Sequence, residues 1–306
     1  MALYTLRRLL SAVPAVVLIV SALFFIVRVL PGDPARAMAG PDASAEQLEN
    51  IRRLLGTDRP LLEQYVRFLF DLLRGSLGNS AVSGAPVWSE IDSRLPYTLV
   101  IAVTAIVIAI AAGVLLGVLA AVRRGTWLDA AISALAVLGL SLPAYWLGTL
   151  MILVFAVWMG LLPSGGTNSP SSIILPSVVL ATFPLGVIVR ITRSSLLGVL
   201  GQDYMRTARA KGVPPYAAIT GHALRNALLP IVTMIGMLFA SMLGGSVITE
   251  TVFSWPGIGR LLVDSILSRD YPVIVGVVFV FSLIVLLINL VTDLLYGLID
   301  PKVRYD

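Results

Sequence analysis

Residues 203–230, DYMRTARAKGVPPYAAITGHALRNALLP, form a polar, basic segment between two long apolar runs. Asp203 suits an N-cap, residues 204–211 carry no Gly, Pro or run of β-branched side chains, and Gly212 suits the left-handed position that ends a helix. The pattern predicts a helix of about two turns. Pro214 or Pro215 can open a second short helix at its first position, and Pro230 is expected to start the next apolar span. On the first helix Tyr204, Ala208 and Gly212 share one face at four-residue spacing, while Arg206, Arg209 and Lys211 point elsewhere. Small residues at the centre of a face let another backbone approach closely. By pattern alone, an amphipathic helix held at lipid headgroups by its Arg and Lys fits as well.

The composition places this segment in a membrane protein. Of 306 residues 58% are hydrophobic and 13% charged, and the mean hydropathy is +0.93. There is no cysteine and a single histidine, His222, so disulfides, thiol catalysis and Cys/His metal sites have no residues to build on. The basic residues are dispersed over loops with no aromatic-interleaved patch, which argues against nucleic acid as a partner. The first apolar stretch, Leu9 to Val27, is 19 residues long, exceeds a signal-peptide core and has no small-x-small cleavage site after it, so it reads as a retained span.

Uncharged runs mark the crossings: Leu9 to Val27, Leu95 to Val122, Ala130 to Val189, Asn226 to Thr249 and Tyr271 to Thr292. The third is too long for one helix, and its Gly, Ser and Pro cluster LPSGGTNSPSSIILP (162–176) splits it, giving six spans and an all-α polytopic fold. With both termini inside, twelve Lys and Arg face the cytoplasm and the two short outer loops carry only Arg260 and Arg269. That count predicts cytoplasmic termini and a cytoplasmic 203–230 segment. Residues 1–94 are then the first span plus an extracytoplasmic helical segment, and residues 95–306 a five-helix core. In the outer segment Ser44-Ala45-Glu46-Gln47 reads as a capping box for a helix ending at Gly56. A second amphipathic helix runs from about Pro60 to Arg74 with Leu62, Val66, Leu69 and Leu73 on one side, resting on the membrane surface or on the outer ends of the spans.

The run RTARAKG followed by HALRNALLP resembles the cytoplasmic coupling loop of ABC-importer permeases, and more narrowly that of the dipeptide and oligopeptide permease B subunits. The general importer pattern opens Glu-Ala-Ala where this chain has Arg206, Thr207 and Ala208, and the stretch from Gly212 to Pro230 is longer; both departures look like the peptide-permease version. LPGDP (30–34), GSLGNS (75–80), RLPYTL (94–99), GGSVITETVFSWPGIGRLL (244–262) and NLVTDLLYGLIDPKVRY (289–305) carry the same resemblance from end to end. It implies a type I (MetI-like) permease fold in a bacterial inner membrane, with the helix at Asp203, Tyr204, Arg206, Thr207, Ala208, Arg209, Lys211 and Gly212 fitting a groove on the ATPase. It further implies a second homologous permease, two ATPase subunits that hold the ATP and Mg, and an extracytoplasmic solute-binding protein.

A nucleotide P-loop needs Gly-Lys followed by Ser or Thr, and Lys211 and Lys302, the only lysines, precede Gly and Val. The chain is therefore expected to be no enzyme and to borrow its ATPase. Acidic and basic residues are missing from the centres of the spans, which weakens an ion-coupled carrier as the alternative class. Ser141, Pro143 and Tyr145 in the third span and Gly244, Gly245 and Ser246 in the fifth are the candidates for the pathway lining. Glu250 is the candidate for the outer gate. For each of them plain helix packing is the competing reading. Within the class, nickel or glutathione import stands beside peptide import.

Overall fold

A computed structural model describes residues 2–29, 35 and 43–299, and these residues are helical with no strand among them. The helices are α1 (Ala2–Val29), α2 (Ala45–Leu55), α3 (Leu61–Leu73), α4 (Val87–Asp92), α5 (Leu95–Val122), α6 (Trp127–Ser141) and α7 (Ala144–Met151). They continue as α8 (Ile174–Leu200), α9 (Asp203–Ala210), α10 (Pro215–Ala217), α11 (Leu224–Val252), α12 (Ile258–Ser268) and α13 (Tyr271–Ile299). Four stretches are long and apolar enough to cross a bilayer, Val87–Val122, Pro170–Leu200, Pro230–Val252 and Tyr271–Thr292, and the pair α6 with α7 makes a fifth if counted as one crossing. The remaining expected crossing is α1, which is 28 residues long and whose described apolar run is Val13–Ile26.

Two compact units divide the described chain, and the boundary differs from a cut at residue 94. Among the described residues, one comprises Leu99–Trp255 and 287–299; the other comprises those of Ala2–Thr98 together with Pro256–Leu286. The reason is packing at long range in sequence. Val87 and Ile91 of α4 are buried against Ile258, Leu261, Val273, Val277 and Val280 of α12 and α13. The buried carboxylate of Asp270 accepts from Ser80 Oγ at 2.5 Å and from the Ala81 N–H at 3.0 Å, and Thr98 Oγ1 accepts from the Ile258 N–H at 2.9 Å. In this same unit the Ser44 capping box forms as expected: Gln47 N–H donates to Ser44 Oγ at 3.2 Å, Ser44 N–H donates to Gln47 Oε1 at 2.9 Å, and Gly56 ends the helix in the left-handed region.

In the other unit α8 is the central element, and glycine is what lets its neighbours reach it. A Cβ on Gly117 of α5 would lie 2.6 Å from Thr192 Cβ and 2.8 Å from the Val189 carbonyl oxygen of α8. Toward α6, a Cβ on Gly186 of α8 would lie 2.6 Å from the Ala136 carbonyl oxygen. Between apolar helices in lipid there is no water to expel, so this backbone-close van der Waals contact is the main source of association. Leu180, Ala181 and Ile188 of α8 fill the core with Ile101, Ala105 and Ala109 of α5 and Leu238 and Met242 of α11.

The third apolar run departs from expectation. It breaks inside the expected span, not only at residues 162–176: α6 and the stretch Ala144–Trp158 are bent by 107°. Pro143 has no N–H to give the ladder and forces the residue before it away from helical geometry, and Leu142 accordingly sits at φ −80°, ψ 126°. Each half has about 15 residues, or about 22 Å of helix, too short for a hydrocarbon core of about 30 Å. The second half then widens to a π-helical Ile152–Trp158. After it, residues 162–169 fold over the end of α11, where the Gly166 N–H donates to the Phe253 carbonyl at 2.9 Å.

The crossing of α5 and α8 is directly testable. Gly117→Leu must push Thr192 and the Val189 backbone aside, an overpacking that costs about 1–3 kcal/mol and lowers the melting temperature of the purified membrane complex. Gly198→Leu on α8, where a Cβ meets nothing within 4 Å, should leave it within about 0.5 kcal/mol. Equal melting of the two variants would mean that the two helices do not touch at Gly117.

Candidate functional site

The 203–230 segment folds as a helix, a turn and a second helical stretch that runs into α11. α9 occupies Asp203–Ala210, and Gly212 follows at φ +79°, the left-handed backbone that ends it. Asp203 is not the cap. The Gln202 carbonyl accepts from the Met205 N–H at 3.1 Å, so the helix opens one residue earlier, and Asp203 lies in its first turn. There its carboxylate suits the positive end of the helix dipole. It pairs loosely with Arg206 at 3.6 Å, both side chains being almost wholly exposed, an arrangement that contributes little to stability. Pro215 begins α10 and a π-helical turn, Ala218–Ala223, joins it to α11. The apolar span starts at Pro230 as expected, six residues inside α11, whose helix begins at Leu224.

What holds α9 in place is Met205, which sequence reasoning passed over. It is fully buried among Ala121, Leu196, Ala218, Ala223 and Ala227, with Leu200, Val213 and Ile219 around them. Four alanines make a shallow seat, and the flexible thioether fills it. The helix is thereby fixed to the ends of α5 and α8, while Asp203, Tyr204, Arg206, Thr207, Lys211 and Gly212 are exposed. The exposed surface is thus cationic and polar with one aromatic ring. The side chains of Ala208, Arg209 and His222 lie outside the described residues.

A second feature lies near the same ends of the helices. Arg193, on α8 two turns before its end at Leu200, donates to Asp129 of α6 through Nε at 2.6 Å and through Nη2 at 2.8 Å. The same carboxylate accepts from the Gly125 N–H at 3.0 Å and is buried, which ties the α5–α6 turn to α8. A lone acidic residue at the head of an otherwise uncharged run was the available signal for this clip.

The pathway candidates separate by exposure. Ser141, Pro143, Tyr145 and Gly244 are exposed on this chain, and Gly245 is half-buried. Ser141 and Pro143 flank the bend between α6 and α7, and a Cβ on Gly244 would meet nothing within 4 Å, so close contact within this chain does not explain that glycine. Ser246 and Glu250 are buried within α11. The Ser246 hydroxyl donates to the Leu243 carbonyl at 2.8 Å, and the Glu250 carbonyl accepts from the Trp255 N–H at 2.8 Å where the chain turns after α11.

Comparison with known proteins agrees with this architecture. Over 302 residues, 99% of this chain and 99% of theirs, the chain is 47% identical to the glutathione transport system permease protein GsiC of Escherichia coli K12 and to that of Salmonella paratyphi A. In fold it is similar to the MetNI methionine ABC transporter in an inward-facing form, with a TM-score of 0.59 at 22% identity over 68% of this chain and 95% of that one. It is also similar to an amino acid ABC transporter crystallised with histidines, with a TM-score of 0.55 at 17% identity over 68% of this chain and 93% of that one. Residues 1–102 match the N-terminal family of binding-protein-dependent transport system membrane components. Residues 113–305 match the binding-protein-dependent transport system inner membrane component family, and the chain belongs to that family as a multi-pass permease subunit of an ABC importer.

Proposed function

We propose that this permease subunit imports short peptides, glutathione among them, delivered by an extracytoplasmic solute-binding protein across a bacterial inner membrane. It forms half of the pathway with a second, homologous permease, and two ATPase subunits that hold ATP and Mg dock against α9 on the cytoplasmic side. The single observation that carries this reading is the state of α9: Met205 is fully buried, while Asp203, Tyr204, Arg206 and Thr207 are exposed. The relatives that transport glutathione support the substrate class, since glutathione is a tripeptide.

A mechanism follows from how the helix is seated. Closure of the ATPase pair on ATP pushes α9, and Met205 passes the displacement to the ends of α5 and α8 because Ala121 of the one and Leu196 of the other are buried with it. The Asp129–Arg193 clip carries α6 along with α8. The bend at Leu142–Pro143 then lies where α6 can tilt while α7 remains in place, so that an exposed Ser141 and Tyr145 alternate between faces. Energetically this is a two-state equilibrium, and ATP shifts it only by contacts that differ between the states.

Recruitment and transmission separate by mutation. Tyr204→Ala removes the exposed ring and should weaken ATPase capture by roughly tenfold, about 1.4 kcal/mol. Gly212→Val opposes the φ of +79° and should act in the same direction. Met205→Ala should keep the ATPase bound, yet lose the stimulation of hydrolysis by loaded binding protein, because emptying the seat costs about 2–5 kcal/mol of anchoring. If Tyr204→Ala and Gly212→Val both retain full capture and stimulated hydrolysis, α9 is not the docking element.

Sidedness is testable because the chain has no native cysteine. A membrane-impermeant maleimide applied to intact cells should label Ser44→Cys and Ser164→Cys and leave Tyr305→Cys unlabelled. Labelling at 305, or protection of both loop positions, contradicts cytoplasmic termini.

A further inference from the structure

The amphipathic helix α3 has two apolar sides, and among the described residues only one is covered. On the covered side Tyr65 and Phe68 pack on α1: the Phe24 and Phe68 rings stack with centroids 5.3 Å apart, Tyr65 meets Phe24 edge-on at the same distance, and the Tyr65 hydroxyl hydrogen-bonds Ser21 Oγ at 2.6 Å. On the other side Leu62, Val66, Phe70 and Leu73 form a ridge that is 74%, 47%, 57% and 85% exposed. No residue of α3 is buried. Glu63 beside the ridge is paired with Arg59 and Arg67.

From this geometry we infer that α3 is an interfacial helix whose Leu62–Val66–Phe70–Leu73 ridge inserts into the lipid of the bilayer at the boundary between headgroups and acyl chains. The depth is set by the partner of its covered side. The apolar stretch of α1 ends at Val27, and Ser21, Phe24 and Phe25 fall six to two residues before that end. At 1.5 Å per residue, Tyr65 and Phe68 are held about 3–9 Å inside the hydrocarbon edge. That is the depth at which an amphipathic helix lies in the membrane plane, its apolar face buried by about 5–10 Å. Tyr65 satisfies its hydroxyl on Ser21 there, as a ring at an interface must. The ridge is also continuous in kind with exposed Val17, Leu18, Phe25 and Ile26 of α1, the surface that a membrane-crossing helix turns to lipid. Arg74 at its C-terminal end lies over the Phe70 ring at 5.7 Å, from where a guanidinium can snorkel to the headgroups.

The test uses the assembled transporter in lipid nanodiscs of phosphatidylethanolamine and phosphatidylglycerol. Single cysteines replacing Leu62, Val66 or Leu73 are labelled with bimane, with Arg67→Cys as the control on the charged face. All four side chains are substantially exposed, so labelling leaves the packing of α3 on α1 intact. Lipids brominated near the top of the acyl chain should quench positions 62, 66 and 73 and spare position 67, while aqueous iodide should do the reverse. Iodide quenching of the ridge equal to that of position 67 overturns the inference, since the ridge then faces water. Ridge probes insensitive to both quenchers overturn it as well, because the ridge is then covered by protein.

Discussion

The close contact of α8 with its neighbours is the constraint on which the rest depends. In lipid an apolar side chain gains little by leaving one hydrocarbon neighbour for another, so helices hold together where backbones come near enough for dense van der Waals contact. Gly117 on α5 and Gly186 on α8 supply that, toward α5 and toward α6. Once α8 is fixed, Arg193 is within reach of Asp129, and the chain leaving Leu200 delivers α9 with Met205 facing its alanine seat. A permease that must transmit force through its helices is well served by such a joint, because glycine contacts leave no flexible side chain to absorb displacement.

Against that rigid centre stands one deliberate interruption. Pro143 breaks α6 from α7 with a bend of 107°, freeing backbone groups in a chain that otherwise satisfies them within helices. Broken helix at membrane depth is tolerated only where protein or a wet cavity covers it. Ser141, Pro143 and Tyr145 sit at this break and are exposed on the isolated chain, which suits a surface completed by the second permease.

Much of this was legible in the sequence because it is local. The Ser44 box, Gly56 and Gly212 in the left-handed region, and Pro215 at a helix start are decided by neighbouring residues, and they occur where the pattern predicts. Much of what is decided by distant partners was not legible. Nothing adjacent to Met205 marks it as the anchor of α9, since its seat comes from residues 121 to 227. Ser246 and Glu250 have the small or charged character of gate residues, yet the packing of α11 buries both. The spacing Gly113-x-x-x-Gly117 is a sequence signal for close helix contact, and it marks the α5 face that meets α8. The units divide at residues 98 and 256 because Asp270 and Ile258 bond across more than half of the chain.

The central claim is that α9, seated on Met205, offers its outer surface to the ATPase. The most direct measurement places a photo-crosslinking benzoylphenylalanine at position 204, where the native ring is already aromatic and exposed, in the complete transporter in membranes. Illumination should yield one adduct with the mass of the permease plus an ATPase subunit, and that band should vanish when the ATPases are stripped from the membrane. An adduct with lipid, or with the second permease in place of the ATPase, would contradict the account.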